Sequence, residues 1–395
     1  MPELPEVERA RRLIEETCTG YTISEIDAVD DKIVYCGEGE HVAFNKELVG
    51  RTITGCERRG KQFWMTLSGE GRLPVMHFGM TGMIQLKGQE PTWYRKKDYE
   101  TSDVWPPKSD PSVMKLSPPA GSEPQELAFI DVRRLGRLRL VPDPVLSHPP
   151  LSELGFDPVL DHPSLDEFKE LIGKKKGTIK GLIMDQAFSA GVGNWVADEV
   201  LYQARIHPMC PVNLLTDHDL SELHRLLNEV PVKAIAVNAD STQFPADWLF
   251  RWRWDKGKKP KAKGKGESQD AEEDVKPKGI EFLALPDGSK ATISFVTVGG
   301  RTSAVVNELQ KLPSGGVAKA NGTKATPTKG TPKKPKAAAK KRQVDSDLSD
   351  LSDTEVDEPA KPAPRASRAE RASRRAAPET PEVKVEKPAS KRSRR

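Results

Sequence analysis

Pro2 directly follows the initiator methionine, so removal of Met1 would leave a secondary amine with a reference pKa of roughly 8, partly unprotonated near neutrality. Such an amine attacks an electrophilic sugar carbon and becomes an iminium without losing a second proton. The iminium then serves as an electron sink for elimination along the sugar. Glu3 adjoins the amine and Glu6 lies one helical turn further on, both able to move protons. By themselves a second-position proline and two N-terminal carboxylates also suit an ordinary helix start, so the surrounding elements have to decide.

Pro5 fits a first helical turn, and Val7, Ala10, Leu13 and Ile14 recur three or four apart until Gly20, which predicts a short amphipathic helix. From Tyr21 to Leu140 short alternating runs such as Phe63 to Leu67, Leu127 to Ile130 and Leu138 to Leu140 predict antiparallel sheet, a sandwich or a barrel. The polar, Pro- and Ser-rich stretch from Gln89 to Glu126 reads as a long surface insertion. Beyond Pro163 the period turns helical. Ser164 to Glu167 spells a capping box, Thr216 to Asp219 a similar start, and Gly191-Val192-Gly193-Asn194 a Gly-rich turn entering a helix. Gly279 to Leu309 returns to β-type runs with Pro286-Asp287-Gly288 as a turn signal. The interleaved aromatics and arginines of Phe244 to Trp254 suit base stacking and a buried strand edge equally.

The net charge of +4 conceals an asymmetry. Residues 311–395 carry 22 Lys and Arg against 11 Asp and Glu, which leaves 40 against 47 in the remainder. Nucleic-acid binding by the folded part must therefore rest on local clusters: Arg133 to Arg139, Lys174 to Lys180, Arg251 to Lys265. From Lys311 onward large apolar side chains nearly vanish, so no core is expected there. Basic clusters at Lys333 to Arg342 and Lys391 to Arg395 flank an acidic, Ser-rich stretch, a pattern of nuclear import or nonspecific tethering. Cys18, Cys36, Cys56 and Cys210 include no C-x-x-C pair, which argues against a zinc site and a disulfide framework. No transmembrane-length apolar run and no secretory signal is expected, and the protein reads as soluble and intracellular.

Met1-Pro2-Glu3-Leu4-Pro5-Glu6-Val7-Glu8 resembles the N-terminal signature of the formamidopyrimidine-DNA glycosylase family. Further stretches resemble the family in order. Lys61 matches its sheet lysine, which contacts phosphate and assists catalysis. Met80, within His77 to Gly82, matches the methionine that fills the void left by an everted base. Arg133, Arg134 and Leu135 match its intercalation loop, which implies that Arg133 faces the orphaned cytosine and Arg134 a phosphate, with Leu135 where an aromatic is usual. Inserted side chains of this kind offset the few kcal/mol that eversion costs. The Gly191 to Asn194 turn resembles the helix-two-turn-helix element, whose amides and Asn194 would hold a phosphate, and Lys180 aligns as a phosphate contact. The family's four-cysteine zinc finger is missing, and Lys278 to Gln310 resembles the zinc-free hairpin of the plant and fungal branch, with Arg301 as the finger arginine.

The expectation is thus an α+β multidomain chain: an N-terminal helix with an antiparallel β-sandwich (1–142), a helix-two-turn-helix domain (143–255), a basic linker (256–278), a zinc-free β-hairpin finger (279–310) and a disordered tail (311–395). The resemblance implies a monomeric nuclear enzyme of base excision repair acting on double-stranded damaged DNA, with no metal or cofactor. It would release oxidised purines through a Pro2 Schiff base assisted by Glu3, Glu6 and Lys61, then nick the strand by β- and δ-elimination as an apurinic-site lyase. Two other readings stay open: an endonuclease VIII-like glycosylase for oxidised pyrimidines, and a noncatalytic damaged-DNA binder of the same fold.

Overall fold

The computed structural model describes residues 2–89, 105–106, 112–253 and 282–314. The basic linker and nearly all of the tail expected from sequence lie outside the described residues.

The first part runs α1 (Leu4–Cys18), β1 (Thr22–Asp27), α2 (Glu40–Leu48), β2 (Ile53–Arg59), β3 (Gln62–Leu67), β4 (Leu73–His77), β5 (Met83–Leu86), β6 (Ser112–Ser117), β7 (Gln125–Ile130) and β8 (Arg137–Val141). The strands form two antiparallel four-stranded sheets, ordered β1-β6-β7-β5 and β2-β3-β4-β8. Ile23, Met114, Leu127 and Phe129 from one sheet and Phe63, Met65, Val75 and Leu138 from the other belong to a single buried cluster, as a sandwich requires. Helix α1 packs along β2 and β3, so Phe63, Trp64 and Met65 are buried in succession instead of alternating. Of the periodic set read from sequence, Val7, Ala10 and Ile14 are buried and Leu13 is half-buried, and Leu4 joins the buried stripe. Burying each of its large apolar side chains contributes about 1.5–3 kcal/mol.

Two sequence expectations are corrected here. The stretch 21–140 is not all sheet, because α2 interrupts it and buries Phe44 and Leu48. The segment 89–126 is not simply an insertion: β6 within it pairs with both β1 and β7, and β7 begins at Gln125. Val113, Met114 and Leu116 are buried there. The Pro and Ser bias around this strand masked its apolar core.

The second part holds α3 (Leu165–Gly173), α4 (Ile179–Met184), α5 (Asn194–Gln203) and α6 (Asp217–Ala236). Both predicted capping boxes form, at Ser164/Glu167 and Thr216/Asp219. Trp195 is fully buried, with the rings of Phe244, Trp248 and Phe250 around it at centroid distances of 5.6, 6.5 and 5.0 Å. The described residues of the 244–254 stretch are therefore neither a base-stacking platform nor a strand edge. They include one short 3-10 turn, Leu249–Arg251, and contribute Phe244, Trp248 and Phe250 to the core of the helical part.

The last elements, β9 (Ile293–Val298) and β10 (Arg301–Val306), form a hairpin. Its turn is Gly299-Gly300, both with positive φ (55° and 71°), which a type I′ connection demands. The Pro286 to Gly288 signal makes a separate turn, bridged by Ala284 and Lys290. Ala304 and Val306 pack with Tyr202 of α5, Leu249 and Trp252. Among the described residues no helix is long and apolar enough to cross a membrane.

Candidate active site

Glu3 caps α1 with its backbone at extended φ/ψ, and its amide donates to Glu6 Oε2 at 2.8 Å. Pro2 is buried just ahead of it. The Glu3 side chain crosses to the second part of the chain, where its two oxygens accept from the backbone amides of Trp195 (2.9 Å) and Val196 (3.1 Å). These amides are the unpaired donors of the α5 N-terminus, which favours an anion. The Gly-rich turn makes room. A Cβ on Gly193 would stand 2.3 Å from Glu3 Cδ, and one on Gly191 would stand 2.8 Å from Leu4 Cβ. The amides of Trp195 and Val196 are thus taken by the carboxylate of Glu3.

Glu6 is buried, and burial followed by the nearby Glu3 charge pushes its carboxyl up to about 7, with Arg9 opposing. Lys61 stands in the two-residue turn joining β2 and β3, where Gly60 passes close to Ala190 and Gly191. Its ammonium donates to Val192 O at 3.1 Å. Burial lowers its pKa, the Glu3 charge opposes that, and Arg301 adds to it, so Arg301 stands near enough to be felt. Pro2, Glu3, Glu6 and Lys61 are thus gathered around the start of α5.

His77 heads the string that contains Met80, and its sequence position gives it no role of its own. The register sets it opposite Gln62, next to Lys61. Burial first, then the charges of Lys61, Arg139 and Arg137, push it down to about 3, so the ring is neutral at physiological pH. Its Nδ1 accepts from Gly79 N at 3.1 Å, which leaves Nε2 carrying the proton. Nothing in sequence separation links His77 to Lys61; only the β3–β4 pairing does.

The second group gathers on two stitched loops. Asp131 accepts from Thr81 Oγ1 (2.7 Å), Arg133 N (3.2 Å) and Gly136 N. Gly79, at φ +59°, passes so close to Leu135 O that a Cβ would lie 2.3 Å away. Met80 is half-buried, Arg133 and Arg134 are exposed, and Leu135 is half-buried. The exposed apolar residue of the loop is Val132, at 51%, a position to which the resemblance assigns no role. Arg134 lies at φ +55° and its Nε donates to Asp31 Oδ2 at 2.5 Å. Hydrogen bonding to Arg134 holds the Asp31 carboxyl down at about 2.

Lys180 requires a correction. It is fully buried, and its ammonium donates to Asn194 Oδ1 (2.6 Å), Asp198 Oδ1 (2.7 Å) and Ser303 Oγ, so it does not meet phosphate directly. Asn194 is half-buried and donates from Nδ2 to Thr302 O at 3.0 Å, beside Arg301 at the hairpin turn. The exposed members of the lysine run are Lys174, Lys175 and Lys176. Among the described residues no group of His, Cys, Asp or Glu could hold a metal ion.

Comparison with known proteins bears on this arrangement. Residues 1–138 match the formamidopyrimidine-DNA glycosylase N-terminal domain, and residues 154–246 match the formamidopyrimidine-DNA glycosylase H2TH domain. A formamidopyrimidine-DNA glycosylase of Arabidopsis thaliana is 40% identical over 312 residues, covering 79% of this chain and 71% of that protein. One from Lactobacillus delbrueckii subsp. bulgaricus is 33% identical over 231 residues, 58% of this chain and 76% of that one. Among solved structures, MutM in complex with DNA containing carbocyclic 8-oxo-G superposes with a TM-score of 0.59 at 27% identity, over 78% of this chain and 100% of the other. The Lactococcus lactis enzyme bound to DNA containing an AP site gives 0.58 at 26% identity, over 78% and 99%.

Proposed function

The chain belongs to the formamidopyrimidine-DNA glycosylase family, and from that premise we propose how its own residues carry the reaction. It is a DNA glycosylase of base excision repair directed at oxidised purines, and it binds damaged DNA. The finer reading is that it is also a lyase. The Pro2 amine, free once Met1 is removed, adds to C1′ of the everted nucleotide as the bond from C1′ to the base breaks, and the base leaves with a proton. The C1′–O4′ bond then breaks, with a proton going to O4′, which opens the sugar ring and leaves an iminium at C1′; loss of a C2′ proton from it expels the 3′ phosphate, and a second elimination expels the 5′ phosphate.

The observation that carries this reading is the gathering of Glu3, Glu6 and Lys61 around buried Pro2 at the start of α5. Glu3, gripped by two helix amides, lies beside the amine as a fixed carboxylate. Glu6, with its carboxyl near 7, can give or take a proton at neutral pH. Lys61 offers a cation to a flanking phosphate, with the neutral imidazole of His77 on the strand paired with the neighbouring Gln62. Met80, Arg133 and Leu135, with Val132, would fill the gap left by the everted base, while Arg134 and Asn194 meet the backbone.

Borohydride trapping tests the reading directly. On duplex DNA containing a formamidopyrimidine lesion the native chain should give a covalent adduct, and Pro2→Gly should lose it or much reduce it. Absence of any adduct with the native chain, on that lesion and on an abasic site, would leave a damage-binding protein in place of the lyase. The basic clusters of the tail further support a nuclear location, testable by whether a reporter carrying residues 331–395 enters the nucleus.

A further inference from the structure

The β9–β10 hairpin contains no Cys or His, and it contributes buried Ala304 and Val306 and half-buried Ile293 and Phe295 to the neighbouring core. Its polar attachment is extensive. Lys180 of α4 is completely buried and donates to acceptors on two other elements, Asn194 and Asp198 of α5 and Ser303 of β10. Asp198 uses its second oxygen to accept from Arg253 Nη2 at 2.7 Å and from Ala304 N at 3.3 Å. Asn194 Nδ2 donates to Thr302 O at 3.0 Å, and Arg253 Nη2 reaches Asn194 O at 3.3 Å. Three consecutive hairpin residues, Thr302, Ser303 and Ala304, are therefore tied to α4 and α5. Arg301 immediately precedes them.

These bonds stand or fall together. Two cations share one carboxylate in a dry site, and a lysine there satisfies all three of its donors. An ammonium at this depth would be expensive without partners, so its burial is explained by the anchoring it provides. The fastened residues directly follow Arg301, while the Gly299-Gly300 turn lies outside the network.

We propose that Lys180 and Asp198 form a buried clasp that fastens the β9–β10 hairpin to the start of α5 and so fixes the position of Arg301. Both are positioning residues, and neither touches DNA. The second half of this inference rests on the reading of Arg301 as a DNA contact.

The test uses hydrogen exchange on the full chain, following peptides across 293–306 with α6 peptides as an internal control. Lys180→Met is the main variant, because it leaves Asp198 paired with Arg253 and strands no buried charge. Ser303→Ala is the second, since it alters only the hairpin side. In Lys180→Met the amides of Thr302 to Ala304 should exchange about tenfold faster or more, as loss of a bond to a charged group implies, with a smaller acceleration in Ser303→Ala and α6 unchanged. Affinity for duplex carrying a tetrahydrofuran abasic analogue should fall to that of Arg301→Ala, and the Lys180→Met/Arg301→Ala double variant should fall no further. Native exchange across the hairpin in both variants refutes the clasp. If Lys180→Met also loosens α6, Ser303→Ala decides by the same criterion. If the hairpin opens yet Arg301→Ala binds like the native chain, the clasp stands and the DNA role of Arg301 falls.

Discussion

At the scale of the residue, one helical turn separates two carboxylates with different surroundings. Glu3 spends both oxygens on the amides of Trp195 and Val196, whereas Glu6 is buried beside it and accepts from Glu3 N. Burial moves the Glu6 carboxyl from 4.5 to about 7, inside the range where a proton donor is useful in the cell. Two consequences are measurable. The rate of base release at subsaturating DNA should bend near pH 7, and Glu6→Gln should remove that bend. A bend that survives the substitution would belong to another group, such as the Pro2 amine. Because the folded value lies above the unfolded one, the stability contributed by protonated Glu6 is complete below about 4.5 and is lost as pH rises through about 7. Melting temperature in Glu6→Gln should accordingly change less between pH 5 and 8 than in the native chain.

At the scale of the element, the active site is a meeting of turns. The β2–β3 turn at Gly60, the start of α1 and the Gly191–Gly193 turn approach so closely that an added Cβ on any of the three glycines would lie within 3 Å of a neighbour. Gly193→Ala should displace the Glu3 carboxylate by about 1 Å or more, reducing base release on the order of 100-fold. Helical content by circular dichroism should be kept, since φ at Gly193 (−122°) suits any residue. A variant of native activity would show that Glu3 need not sit on the α5 amides. Local signals announced these elements unevenly. The capping boxes, the α1 stripe and the strand runs of β3, β7 and β8 were legible because each is a short-range pattern. Helix α2 was not, with only Phe44 and Leu48 buried and a left-handed Gly39 as its cap. Lys180 could not be placed either. From sequence it closes an exposed lysine run, and only the fold turns it inward to meet Asp198, while the partnership of His77 with Lys61 exists only through strand register.

At the scale of the whole molecule, one buried ion network spans the sandwich and the helical part. Asp157 is fully buried and accepts from Arg58 Nη1 (2.5 Å), Gly60 N (2.7 Å), Val159 N (2.9 Å) and Leu160 N (3.2 Å). Arg58, on β2, also reaches Glu8 of α1 at 3.0 Å, so one arginine links the catalytic helix, the sheet and the entry to the second part. The same carboxylate fixes the Gly60 amide, and with it the turn that presents Lys61. Replacing one partner of such a pair leaves the other charge buried and typically costs 3–5 kcal/mol, roughly, compared with about 0–1 kcal/mol for an exposed pair such as Arg225 with Glu222. Asp157→Asn should therefore lower the melting temperature strongly and weaken lesion processing, while Glu222→Gln serves as the surface control with little effect on either. If calorimetry of Asp157→Asn resolves two transitions where the native chain has one, the network is what makes the two parts unfold together. A single transition at the native temperature would mean instead that the packing of α1 against α6 and β2 already suffices.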